Sequence, residues 1–508
     1  MSTPAHVLID AVLDRGTFVF WDAPPLDVHP SPDYAASLAR ARERSGLDEA
    51  VVTGEGRIRG RRVALIACEF DFLGGSVGVA AAERVVTAVE RATALRLPLL
   101  ATTASGGTRM QEGTVAFLQM VKITIAVTRH KAAGLPYLVY LRNPTMGGVF
   151  ASWGSLGHIT AAEPGATVGF LGPRVFEQLY GEPFPAGVQT AENLFAHGLI
   201  DGVVPVRFLR LLAHRALIVM MGEQAADPLA PQVSSDELAA APADVSAWDA
   251  VTASRNPRRP GVRLVLRQSA TDNVPLSGTG QGENDDSLLL TLARIRGYPC
   301  VIVGQAGNGP AALLEPAALR LAQRGMRLAE ELRLPLVLAI DTWGAALSRE
   351  AEEGGLAGEI ARCLAELVNL TVPTISVLLG QGTGGGALAM LPADRVLCAQ
   401  HGWLAPLPPE GASAVVFRSA DHAAEMAEWQ GISSADLYRD GIVDRVIPER
   451  PDATAEPDEF ANRVGLAISE ALAELSLIPS DVRMAQRMDR YRRLGVPDPD
   501  GRHVQPHS

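Results

Sequence analysis

The chain has 508 residues, 47% of them hydrophobic and 20% charged, a composition that excludes wholesale disorder and a length that calls for two to four domains at roughly 150 residues each. Its 45 Lys and Arg against 57 Asp and Glu leave a net charge of −12, which in the mean field repels nucleic acid and anionic lipid. Four dispersed cysteines, Cys68, Cys300, Cys363 and Cys398, form no CxxC pair and nothing at the N-terminus reads as a signal peptide, so reduced thiols, no structural zinc and a cytoplasmic location are expected.

From the N-terminus, the first clear element is a β-rich run over 63–67. Beyond Glu69-Phe70-Asp71-Phe72 comes Gly74-Gly75-Ser76-Val77-Gly78, which has GxSxG spacing without a clear strand-to-helix turn in a buried sheet, and reads as a packing or substrate-lining loop. A helix is predicted over 80–95 and a buried strand over 97–102, followed by a loop at Ser105-Gly106-Gly107. Another helix, a strand opened by proline over 137–142 and a second glycine loop at Met146-Gly147-Gly148 complete the unit. Residues 223–248, rich in Ala, Pro, Asp, Glu and Ser, read as a surface linker.

The same grammar then returns. Arg57-Ile58-Arg59-Gly60 recurs 237 positions on as Arg294-Ile295-Arg296-Gly297, and Leu95-Arg96-Leu97-Pro98-Leu99 recurs as Leu332-Arg333-Leu334-Pro335-Leu336 in the same register. Pro136 maps onto Pro373 and Gly147-Gly148 onto Gly384-Gly385, so about 90 residues align without a gap. Gly198-Leu199-Ile200-Asp201 returns as Gly441-Ile442-Val443-Asp444 at an offset of 243, which places six extra residues in the second copy. That copy reads as a β-rich run over 301–304, a helix over 316–332, strands over 334–340 and 374–379, and glycine loops at Trp343-Gly344-Ala345 and Thr383-Gly384-Gly385-Gly386-Ala387.

Residues 367–393 carry no charged side chain, yet five glycines and two prolines argue for a buried strand, a turn and a short helix rather than a membrane span. A basic helix over 482–494 opens a tail that frays at its tip. Strands alternating with helices imply right-handed crossovers and mainly parallel strands. The chain therefore reads as an α/β unit built twice, over 1–222 and 249–480, with the linker 223–248 between them and a tail over 481–508.

Ligands of such units meet the loops that leave the carboxyl ends of the strands. Paired glycine loops can aim backbone N–H groups at one oxygen, an oxyanion hole able to stabilise a thioester enolate without a nucleophilic side chain; the same glycines also permit tight turns and close packing. Gly380-x-Gly382-x-x-Gly385 fits a dinucleotide fingerprint but lacks an acidic residue about 20 positions on. The histidines show no metal-ligand spacing, and His197, His401 and His422 read as surface or loop residues. Arg109 and Arg174 follow glycine loops, where each either meets phosphate or carboxylate or forms an ordinary ion pair.

In these loops the chain resembles the acyl-CoA carboxyltransferases of biotin-dependent carboxylases, which belong to the crotonase-like superfamily. The first copy is similar to the bacterial acetyl-CoA carboxylase carboxyltransferase β subunit over Phe70-Asp71-Phe72-Leu73-Gly74-Gly75-Ser76-Val77-Gly78, Ser105-Gly106-Gly107-Thr108-Arg109-Met110-Gln111-Glu112, Pro144-Thr145-Met146-Gly147-Gly148-Val149 and Gly172-Pro173-Arg174-Val175. The second is similar to the α subunit over Ala253-Ser254-Arg255-Asn256-Pro257-Arg258-Arg259-Pro260, Ile340-Asp341-Thr342-Trp343-Gly344-Ala345, Gly384-Gly385-Gly386-Ala387-Leu388-Ala389 and Pro409-Glu410-Gly411-Ala412-Ser413. The resemblance implies two tandem crotonase-like (ClpP/crotonase) β-β-α superhelix domains. It also implies transfer of carboxylate from carboxybiotin to the α-carbon of an acyl-CoA.

Carried over by position, Gly106, Gly107, Gly147 and Gly148 would hold the thioester oxygen, and Gly344, Ala345, Gly386 and Ala387 the biotin ureido oxygen. Ser76, Arg109 and Arg174 would contact substrate. The basic nitrogen left on biotin would take the α-proton, and the two sites would meet across subunits of a homo-oligomer. With no Met-Lys-Met biotin acceptor and no ATP-grasp-like region, a biotin carboxylase and biotin carrier partner is expected. Two departures stand out: residues 1–67 hold no cysteine where the separate β subunit usually carries a four-cysteine zinc ribbon, and Trp343 stands where the α-subunit motif usually has proline. A biotin-independent malonate decarboxylase β/γ fusion and a non-catalytic scaffold subunit are the competing readings.

Overall fold

The computed structural model describes residues 3–225, 238, 245–306 and 313–496, without the side chains of Pro173 and Arg174. Most of the expected linker and the tip of the tail lie outside these residues. The chain divides into two compact units, Met1–Met221 with Leu276–Asn284, and Gly222–Pro275 with Asp285–Ser508.

In the first unit, helix α1 (Pro32–Ser45) precedes a hairpin of β1 (Val51–Ile58) and β2 (Arg61–Cys68). Helix α2 (Val79–Ala94), β3 (Leu99–Ser105), α3 (Gly113–Ala132), β4 (Tyr137–Met146), the short helix α4 (Gly147–Phe150) and β5 (Ile159–Ala162) follow. β1 and β2 pair antiparallel, whereas β2, β3, β4 and β5 are parallel neighbours. Helices are therefore forced as crossovers between the parallel strands. Ala81, Val85 and Val89 of α2 pack with Leu99 and Ala101 of β3 and Tyr137, Val139 and Leu141 of β4 in one core.

The second unit repeats this order. A hairpin of β6 (Leu288–Ile295) and β7 (Tyr298–Gln305) leads to α5 (Pro316–Leu332), β8 (Leu336–Thr342), α6 (Leu356–Asn369), β9 (Thr374–Thr383), the short helix α7 (Gly384–Leu388) and β10 (Arg395–Ala399). Again the hairpin is antiparallel and β7, β8, β9 and β10 are parallel neighbours.

The repeated strings are turn chemistry. Arg59 and Gly60 connect β1 to β2 with φ of 47° and 84°, and Arg296 and Gly297 connect β6 to β7 with 47° and 92°; two successive positive φ angles are what a two-residue hairpin turn with the right twist requires. Likewise Arg96 and Arg333 leave their helices with φ of 53° and 55°.

The sequence reading places one strand just before each long helix, where the structure has the two strands of a hairpin. β1 escapes a pattern search because Gly54 and Gly56 interrupt its apolar run. They are glycines because a Cβ at Gly54 would collide with Val19 and Phe18, and one at Gly56 with Leu13, as the segment before α1 crosses the hairpin.

The charge-free stretch forms β9, a turn into α7 and the segment beyond. No helix among the described residues is long and apolar enough to cross a membrane. All four cysteines are buried and unpaired. The basic tail helix α8 (Ser480–Arg493) is anchored: buried Arg487 pairs with Asp394 through Nε and Nη2, both at 2.9 Å, and caps the carbonyl of Leu367 at 2.9 Å.

Candidate active site

Ser105 closes β3 just past a register shift against β4, and the chain turns sharply there. The Gly107 N–H donates back to Ser105 Oγ at 3.0 Å, and Gly107 has φ of 112°, a conformation closed to most side chains. This turn is zipped to the Gly74–Gly78 loop: Gly106 N–H donates to the Gly74 carbonyl at 2.8 Å, Val77 N–H to Gly107 at 2.9 Å, and Arg109 N–H to Val77 at 3.0 Å. Gly147, with φ of 60°, opens α4 beside it. A Cβ on Gly107 would lie 3.5 Å from the Met146 carbonyl oxygen and 3.7 Å from the Gly148 nitrogen, so the two predicted loops are in contact and Gly106, Gly107, Gly147 and Gly148 come together. The opening N–H groups of α4 have no intrahelical acceptor and point out of the helix start.

The second unit repeats three of these bonds. Gly344 N–H donates to Thr342 Oγ1 at 3.0 Å, Leu314 N–H to the Gly344 carbonyl at 3.0 Å, and Ala346 N–H to Leu314 at 3.0 Å. Gly344 has φ of 120° and Gly384 59°, close to the 112° and 60° of Gly107 and Gly147. A Cβ on Gly386 would stand 3.2 Å from the Gly344 carbonyl carbon and 3.3 Å from the Ala345 nitrogen, which brings Gly344, Ala345 and Gly386 together. Ala387, next along α7, has its methyl fully buried.

The other predicted residues divide. Ser76 is half-buried, its hydroxyl donating to the Leu73 carbonyl at 2.8 Å. The Arg174 side chain lies outside the described residues. Arg109, expected to contact substrate, is 1% exposed and its guanidinium is spent internally: it forks onto Glu49 and donates to the Ser76 carbonyl at 2.7 Å. Geometry thus withdraws it from the ligand-contacting set. His401, read as a surface or loop residue, does lie in a turn, but a buried one, its Nδ1 2.8 Å from Glu449 Oε2.

Gly380, which completes the dinucleotide-like pattern, is explained by Asp341. A Cβ there would stand 2.5 Å from Asp341 Oδ1, and the same carboxylate oxygen accepts the Gln381 N–H at 2.9 Å. Burial pushes the Asp341 carboxyl up to about 6, against the backbone hydrogen bond from Gln381 and the Arg259 charge, which lower it. Trp343 lies under Arg255, whose guanidinium carbon is 5.3 Å from the ring centroid. Arg255 is also forked onto Glu410 at 2.5 and 2.9 Å. Both charges fall in motifs noted above, but a pair 155 positions apart leaves no local signal. Among the described residues, no cluster of His, Cys, Asp or Glu could hold a metal ion.

Each unit thus holds one backbone cradle lined by positive-φ glycines. Such a site stabilises developing negative charge on oxygen and leaves proton transfer to its substrates.

The carboxyl transferase domain family matches residues 11–485. The probable biotin-dependent acyl-coenzyme A carboxylase beta3 subunits of Mycobacterium bovis and Mycobacterium tuberculosis are 64% identical over 490 residues, covering 96% of this chain and 97% of theirs. The acetyl-coenzyme A carboxylase carboxyl transferase subunits beta/alpha of Saccharopolyspora erythraea are 37% identical, covering 100% of this chain and 91% of the relative. The hexameric transcarboxylase 12S, solved with methylmalonyl-coenzyme A and methylmalonic acid bound, superposes with a TM-score of 0.73 at 23% identity, over 93% of this chain and 90% of that one. A single-chain, multi-domain long-chain acyl-CoA carboxylase superposes at 0.68 with 18% identity, over 91% of this chain and 45% of that one. At those identities the superpositions speak for the shared fold of two crotonase-like domains. The family match over almost the whole length, together with the mycobacterial likeness, shows that this chain belongs to the carboxyl transferase family.

Proposed function

We propose that this carboxyltransferase serves a biotin-dependent acyl-CoA carboxylase, moving carboxylate from carboxybiotin on a partner protein to the α-carbon of an acyl-CoA. The observation that carries the reading is the duplicated cradle: one reaction with two carbonyl substrates, a thioester and a ureido ring, needs two oxyanion sites of the same kind. Gly106, Gly107, Gly147 and Gly148 receive the thioester oxygen, with Ser76 lining the approach. Gly344, Ala345 and Gly386 receive the ureido oxygen, and Ala387 backs that cradle from the core. Biotin supplies the nitrogen that takes the α-proton. The chain's own part is to hold both oxygens and to orient the α-carbon. Incubation with a carboxylated biotin-carrier protein and a panel of acyl-CoAs is expected to give the carboxylated thioester; a chain that binds the carrier but transfers nothing would be a scaffold.

The reading includes a homo-oligomer in which each unit meets its complement on another copy. Support comes from apolar surface beside the cradles. Next to the first turn, Met110 is 82% exposed, and Val115, Phe117, Leu118 and Val121 of α3 are more than half exposed. An apolar patch of that extent on a water-soluble surface is commonly a contact face. Sedimentation at micromolar concentration is expected to find a dimer or larger assembly, and a fully active monomer would contradict it.

A further inference from the structure

We infer that Arg109, Glu49, Glu112 and Tyr34 form a clamp that sets the geometry of the first cradle, with Arg109 a positioning residue for acyl transfer. The inference rests on the function proposed above for that cradle. Arg109 reaches Glu49 Oε2 at 2.9 Å, the Ser76 carbonyl at 2.7 Å, and lies 3.5 Å from Glu112 Oε1. Glu112 in turn accepts the Tyr34 hydroxyl at 2.5 Å and the Val79 N–H at 2.6 Å, while Glu49 accepts the Ala50 N–H at 2.7 Å. One cation therefore faces two buried carboxylates, and the remaining negative charge is met by a phenol and by backbone N–H groups, one of them at the positive end of α2.

Four separate segments are gripped at once: the start of α1, the chain just before β1, the Gly74–Gly78 loop and the turn after β3. The mechanical path to the cradle is short. Arg109 holds Ser76 through its side chain and Val77 through its backbone N–H, and Val77 holds the Gly107 carbonyl at 2.9 Å.

The second unit supplies an internal control. It builds the same turn with Ala346 where the repeat puts Arg109 and with Arg349 where it puts Glu112, and Arg349 is 80% exposed. The turn thus forms without ions. A buried ion pair adds little net stability over apolar packing, so neither turn formation nor stability accounts for the clamp. Holding a reacting geometry does, because a misplacement of about 1 Å can cost on the order of 10²-fold in rate.

The test uses the full-length chain carrying Arg109→Lys, Arg109→Met or Tyr34→Phe. Biotin-dependent decarboxylation of malonyl-CoA gives kcat and KM, and amide hydrogen exchange gives loop rigidity. Arg109→Met is expected to lower kcat roughly 10²-fold and Tyr34→Phe several-fold, with the KM for malonyl-CoA nearly unchanged, whereas loss of a direct substrate contact would raise KM and spare kcat. Exchange at residues 106–109 should quicken by about 10-fold while that at 343–346 stays at the wild-type rate. Tyr34→Phe removes a single hydroxyl, so it carries the test if Arg109→Met does not fold. A wild-type chain inert toward malonyl-CoA would count against the proposed function, and the exchange experiment would still judge the clamp. Wild-type exchange at 106–109 in folded Arg109→Lys and Tyr34→Phe proteins would overturn it, as would a pure KM effect.

Discussion

Alanine at Gly107 is expected to lower acyl transfer by about 10²- to 10³-fold while the protein stays folded, the range seen when one oxyanion contact is removed. The backbone there has φ of 112°, which an L side chain rarely adopts, and the added Cβ would sit 3.5 Å from the Met146 carbonyl oxygen, in front of the opening of α4. Both effects act on the space proposed above for the thioester oxygen. Gly344→Ala is the matched experiment on the biotin side, with φ of 120° and Thr383 Cγ2 3.6 Å from the added carbon. Gly148→Val is also expected to abolish turnover, but it is a less clean probe, since its Cβ would press on Thr108 Oγ1 at 3.1 Å and Met120 Cγ at 3.2 Å. A folded Gly107→Ala protein with near-normal turnover, read by biotin-dependent CO₂ release, would remove the first cradle from the account.

The largest stability effect is expected at Glu449. Its carboxylate and the Arg259 guanidinium are both fully buried and forked together at 2.6 and 2.9 Å. His401 adds a bond at 2.8 Å and the Ala453 N–H another at 2.8 Å. Glu449→Ala removes the carboxylate forked onto Arg259 in the core, and breaking such a buried pair typically costs about 3–5 kcal/mol. Burial pushes the Glu449 carboxyl up, but the hydrogen bonds from His401 and Arg259 and the Arg259 charge outweigh it and hold it well below the usual carboxylate range. A folded-state pKa below the unfolded one contributes stability that is present above roughly pH 4.3 and is lost as pH falls through the acid range. Denaturant melts at pH 7 and pH 3 are therefore expected to show the wild type losing stability in acid and Glu449→Gln losing less. Equal acid sensitivity in the two proteins would show that other carboxylates govern the transition.

The repeat was legible because its strings are local. A hairpin turn at Arg59-Gly60 or a glycine turn after β3 needs particular residues in sequence, and the same need 237 positions on writes them again. The cradle glycines were legible for the same reason. What stayed hidden was long-range pairing: Arg109 finds Glu49 across 60 positions, Arg255 finds Glu410 across 155, and Arg259 finds Glu449 across 190. That the turn residue His401 is buried was hidden because its partner Glu449 is remote in sequence. The first strand of the first hairpin was missed where close approach of another segment demanded Gly54 and Gly56 in place of a β-branched residue.

One measurement bears most directly on the central claim that two backbone cradles act on an acyl-CoA and a biotin together. Pure protein is incubated with malonyl-CoA, with and without added free biotin, and CO₂ release is followed. No Asp, Glu or His lies within the glycine loops to take or return the α-proton, so release is expected only when biotin is present. Brisk release without biotin would contradict the account and identify a decarboxylase that works on the thioester alone.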